Sequence, residues 1–172
     1  MFKKILKYQN QKGQSTLEFC LAVPVVLLLT LGVIDVAKAN IIKLENTQAM
    51  QAYLSLASAD GKDTSAEKIK GAAGDYIQQT SMFCTKVHGA NKQADCKAGA
   101  EAVQTTIRLE RVGAGPLQPG NQICMAAKSE YTPYYSGIYS GNKMTVYSRA
   151  CTLMETQKNN VSGWQNISIG RW

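Results

Sequence analysis

The sequence predicts an α+β fold, in which one long N-terminal helix packs on a small antiparallel sheet that carries disulfides. Three observations predict it. Residues 19–34 form an uninterrupted uncharged apolar run. Beyond that run, apolar residues continue at helical spacing toward residue 58. Later segments switch to period-two alternation, and four cysteines lie among them.

The helix comes first. Between Gln14 and Ala37 the only charges are Glu18 and Asp35, one near each end. A helix of that length is about 36 Å long at about 1.5 Å per residue. It covers a hydrocarbon core of about 30 Å. Lys3, Lys4, Lys7 and Lys12 all precede the run without an accompanying acid. Such a bias holds the N-terminus on the cytoplasmic side. The chain therefore divides into a basic leader at 1–13, a transmembrane helix at 14–37 and an extracytoplasmic domain at 38–172.

The helix is expected to run from about Ser15 to Ser58. Ile34, Ala37, Ile41, Leu44, Gln48, Gln51 or Ala52, and Leu56 follow three-and-four spacing, and this stripe is the expected face toward the soluble domain. Ala59-Asp60-Gly61-Lys62-Asp63 breaks it. Thr64 with Glu67 reads as a capping box, opening a second helix to about Met82, in which Gly71 and Gly74 weaken the helix or allow close packing. Cys84 to Cys96 bounds a polar loop. Val103, Thr105, Ile107 and Leu109 alternate with polar residues as in a half-buried strand. Turn chemistry follows at 113–116 and 119–121. Strands are expected at 123–131 and 143–155, and a short edge strand at 164–169.

Cys20 lies in the apolar run, where a free thiol behaves as a small hydrophobe. Cys84, Cys96, Cys124 and Cys151 all follow it. An even set in an exported domain points to two disulfides. A structural zinc site usually needs close pairs such as C-x2-C, and the intervals here are 11, 27 and 26 residues. Four cysteines allow three connectivities. Locality favours Cys84 with Cys96, and a hairpin turning near residues 134–141 favours Cys124 with Cys151.

The formal net charge of +7 raises nucleic acid as a partner, but its placement argues otherwise. Without residues 1–13 the balance is 15 basic to 12 acidic residues, a net +3, and the remaining cations are interleaved with acids. No nucleic-acid partner is expected. His88 is the only histidine and sits in a Gly/Lys/Asn-rich stretch. No G-x-S-x-G, H-E-x-x-H or P-loop pattern occurs. Asp60 and Asp63 lack EF-hand spacing and read as helix punctuation. No metal, cofactor or catalytic residue is expected. Tyr131, Tyr134, Tyr135, Tyr139 and Tyr147 suit either an interface or sheet packing.

The junction before the apolar run carries the sharpest signal. Ala37-Lys38-Ala39 imitates a signal-peptidase site, yet the apolar run exceeds a usual signal. Gly13 is followed by Gln14-Ser-Thr-Leu-Glu18, with Glu18 fifth after the glycine. A carboxylate at the edge of a span is costly unless a cation offsets it. Cleavage after Gly13 creates one, the α-amino group of Gln14. A plain signal-anchor helix, with Glu18 reaching the interface, is the other reading.

Residues 13–32, with Gly13, Gln14, Glu18, Pro24 eleventh after the glycine, and a leucine-rich core, resemble the N-terminus of TadE-like minor pilins (pseudopilins) of the tight-adherence pilus, a type IV-like system. The tail 122–155, with its Tyr131-Thr-Pro-Tyr-Tyr135 turn, is similar to TadE ectodomains. The resemblance implies a pilin-like fold, cleavage between Gly13 and Gln14 by a prepilin peptidase, Glu18 as the assembly charge and Pro24 as a helix kink. It also implies other pilins and the inner-membrane assembly platform as partners, and a role in cell adhesion without enzymatic activity. The remaining alternative is a membrane-anchored or secreted disulfide-containing binding protein of the cell envelope.

Overall fold

The computed structural model describes residues 2–59, 65–97, 102–111, 116–134, 143–157 and 164–166, with side chains described from Thr16 onward. Helix α1 (Phe2–Ala59) is continuous over 58 residues. It starts well before the expected Ser15, because Lys, Leu and Gln dominate that stretch and favour a helix, with Gly13 its least favourable residue. The chain forms two compact units, Met1–Lys38 and Ala39–Trp172.

The second unit holds the final turns of α1, then α2 (Ala66–Thr80), β1 (Thr85–His88), β2 (Val103–Arg111), β3 (Gln122–Tyr131), β4 (Met144–Leu153) and β5 (Gln165–Asn166). The strand order is β1-β2-β3-β4, and β5 pairs β2. β2–β3 and β3–β4 are antiparallel. The architecture is α+β, as the sequence predicts. The sheet is mixed, however, because both β1 and β5 run parallel to β2. The sequence predicts a polar loop where β1 forms. Its four residues are too few for alternation to stand out, although Thr85 and Val87 do turn inward.

From Ala39 onward, α1 buries Ile42, Asn46, Ala49, Met50, Leu54, Ala57 and Ser58. This corrects the expected face. Leu44 and Leu56 are 59% and 64% exposed, and Gln48, Gln51 and Ala52 are exposed as well. The buried stripe instead sets Ile42, Met50 and Leu54 among the small Ala49, Ala57 and Ser58 and the polar Asn46. Small side chains let a helix lie close to a sheet, and Asn46 finds a partner there, donating from Nδ2 to Ser129 Oγ at 2.8 Å. Ser129 and Thr105 hydroxyls are 2.7 Å apart, so all three buried polar groups are satisfied.

α2 is capped by Ser65, whose carbonyl accepts from Lys68 N and Ile69 N. Its side chain makes no cap bond, and the expected cap, Thr64, lies outside the described residues. At the other end the Glu45 carboxylate accepts from Ser81 Oγ at 2.7 Å and from Met82 N at 2.8 Å, fastening the end of α2 to α1. Gly74 permits close packing, since a Cβ there would stand 3.0 Å from both Val87 Cγ1 and Ala90 Cβ. Asp75 completes the dock by accepting from Lys92 N at 2.7 Å and Asn91 Nδ2 at 3.2 Å. The main core joins these helices to Ile107, Leu109, Ile123, Met125, Met154 and Trp164. A smaller cluster gathers Ile42, Val103 and Tyr131.

Candidate functional site

In the first unit, α1 places Gly13 and Gln14 inside continuous helix, one turn before Glu18. Four residues of helix rise about 6 Å. An amine created at Gln14 would therefore share the helix face of Glu18, whose side chain is exposed. Pro24 also lies inside α1, where its missing N–H leaves the Cys20 carbonyl without its usual helical donor. Thr30 hides its own polarity, since its hydroxyl lies 3.1 Å from Val26 O and 2.9 Å from Leu27 O.

From Leu17 to Val36 the large apolar side chains, among them Leu17, Phe19, Leu21, Val25, Leu29 and Val33, are exposed on every side of the helix. Water is a poor medium for such a surface, at about 25 cal/mol per Å² of apolar area. A helix apolar all round suits lipid or the company of other apolar helices. Its length and composition fit a single-pass membrane anchor. Cys20 is a free, exposed thiol on this helix.

In the second unit, Cys84 is joined to Cys96 and Cys124 to Cys151, with Cα–Cα separations of 5.5 and 4.0 Å. The first bridge closes the segment that holds β1 and docks on α2. The second joins residues directly opposite each other in the β3–β4 ladder.

The outward face of the sheet, away from α1, carries Lys86, Arg108, Lys128 and Arg149 with Glu110 and Glu130. Lys128 Nζ and Glu130 Oε1 are 2.7 Å apart. Their hydrogen bond holds the Glu130 carboxyl below its ordinary range and the Lys128 ammonium above its own. Arg149 Nη2 meets Glu110 Oε2 at 2.8 Å, a cross-strand pair that charge composition did not indicate. Of the tyrosines, Tyr131 is buried, donating to Met144 Sδ at 3.4 Å. Tyr134 and Tyr147 are exposed. Tyr135 and Tyr139 lie outside the described residues, as do Asp60 and Asp63. His88 is exposed at the end of β1. Among the described residues no three His, Cys, Asp or Glu side chains are grouped to hold a metal ion.

No curated protein and no solved structure matches the chain. A family model does match it, over residues 13–43. That interval runs from the glycine junction through the exposed apolar helix to the first turn that packs in the second unit, and the family it describes is the TadE-like proteins.

Proposed function

We propose that the chain is a minor pilin, or pseudopilin, that takes part in assembly of a tight-adherence pilus. In this reading it is inserted as a prepilin, with the leader in the cytoplasm and the disulfide-bonded domain outside. Prepilin peptidase cuts between Gly13 and Gln14, shedding the four leader lysines that hold the chain as a simple anchor. The new amine then offsets Glu18, in the same chain or a neighbouring one. The apolar helix passes from lipid into the company of other pilin helices at the inner-membrane assembly platform. The protein has no catalytic role in this scheme.

The observation that carries the reading is the spacing on α1. The Gly13–Gln14 bond lies one helical turn from an acid at the border of an exposed apolar surface. The match at 13–43 supports it by starting at Gly13. The rival, a secreted binding module released after Ala39, is disfavoured on one ground. Ala39 lies within α1 and packs against the cluster of Ile42, Val103 and Tyr131.

Sequencing the mature N-terminus separates the two. A start at Gln14 is expected, and a start at Asn40 would overturn the proposal. Gly13→Ala should abolish processing. Glu18→Ala should leave processing largely intact and impair piliation. Normal piliation in both variants would refute the scheme.

A further inference from the structure

Cys124 and Ala126 lie on the outward face of β3 yet are only 1% and 3% exposed. The register explains their cover. Glu110 on β2 stands opposite Cys124, and Arg149 on β4 stands opposite Ala126. The 2.8 Å Arg149–Glu110 ion pair therefore crosses over the middle strand diagonally, between those two small residues. Cys151, the other half of the bridge, is on β4, which pairs only with β3 among the described residues. Cys151 is exposed, whereas Cys84 and Cys96 are each partly buried. Of the four bridged cysteines Cys151 is thus the most exposed residue and Cys124, beneath the ion pair, the most covered.

We propose that Cys124–Cys151 is an exchange-active disulfide, opened by thiol nucleophiles at Cys151, while Cys84–Cys96 is the inert staple. The attacking thiolate approaches from the solvent side of β4 and forms a new S–S bond to Cys151 Sγ. The Cys124–Cys151 bond breaks, and Cys124 Sγ leaves with the electron pair and takes a proton from water. If the attacker is a dithiol protein, its second thiol, as thiolate, displaces Cys151 from the mixed disulfide. The protein then holds two thiols and the partner holds the disulfide, so electrons balance. Arg149, two residues from Cys151 on the same face, favours the approach of a thiolate. Rates of such exchange depend on which sulfur is accessible. The inference does not depend on cleavage at Gly13.

The test uses the full chain in detergent micelles. Free thiols, Cys20 included, are first blocked with N-ethylmaleimide. The protein is then exposed to glutathione and quenched with isotopically heavy N-ethylmaleimide for peptide mass spectrometry. Glutathione is expected on Cys151 and heavy label on Cys124, in excess over the reverse. Cys84 and Cys96 should stay joined. Arg149→Ala, which removes the roof, should move glutathione onto Cys124 and shrink that excess. Glutathione chiefly on Cys124, prior opening of Cys84–Cys96, or no exchange at either bridge would overturn the proposal.

Discussion

Removing each disulfide separately should destabilise the domain by a different amount, set by the loop it closes. The two bridges have sequence separations of 12 and 27. In the chain-entropy treatment, a cross-link removes freedom from the unfolded chain in proportion to the logarithm of loop length. At 25 °C that gives about 2.9 kcal/mol for Cys84–Cys96 and about 3.6 kcal/mol for Cys124–Cys151. Alanine is the apt replacement because Cys124 is buried, where a serine would orphan its hydroxyl. The Cys84→Ala/Cys96→Ala and Cys124→Ala/Cys151→Ala double variants can be compared in urea by fluorescence, with buried Trp164 as a reporter. Both should lose stability, the second slightly more than the first. A loss under about 0.5 kcal/mol in either variant would refute the entropic account. So would a short-loop variant weaker than the long-loop one by more than about 1 kcal/mol. The bridge expected to contribute more stability also holds the most exposed cysteine, Cys151, so equilibrium weight and ease of opening are separate quantities here.

Three further outcomes are expected. Leu54→Ala should cost about 2–5 kcal/mol because Leu54 is buried, while Leu56→Ala should stay within about 0.5 kcal/mol because Leu56 is exposed. Denaturant unfolding of the pair reads out which face of α1 meets the sheet. Asn46→Ala should cost about 2 kcal/mol in the same assay, about 1 for the lost hydrogen bond and about 1 for the cavity, since Ser129 keeps Thr105. For the outward pair, NMR titration should place Glu130 below the ordinary carboxylate range and Lys128→Ala should raise it, because the Lys128 hydrogen bond is the main cause of the depression. A depressed carboxyl stabilises the fold above its unfolded pKa, and the contribution fades as pH falls through the folded value. The raised Lys128 contributes below its unfolded pKa and loses that contribution as pH rises through its folded value.

Much of the fold was legible because its signals are local. An uncharged run from Phe19 to Ile34 permits few structures besides a long apolar helix. Alternation at Val103–Leu109 and the two later strands mark β2, β3 and β4 within a few residues. Gly74 was readable as a close-approach site, and the structure sets Val87 and Ala90 against it. The pattern around Gly13 and Glu18 is local in the same way, and both residues lie in one continuous helix. The face of α1 beyond residue 38 was misread. Leu44 and Leu56 continue the apolar stripe of the span, and periodicity alone does not tell which of two adjacent stripes meets a sheet.

What the sequence by itself determined is the long apolar helix, the strand-forming segments and the supply of cysteines, each a property of neighbouring residues. Tertiary structure alone decided the parallel placement of β1 beside β2, the burial of Asn46 against Ser129, and the Arg149–Glu110 pair over Cys124. Those contacts join residues as many as 83 positions apart, and their energies depend on burial and register. Neither quantity exists until the sheet has formed.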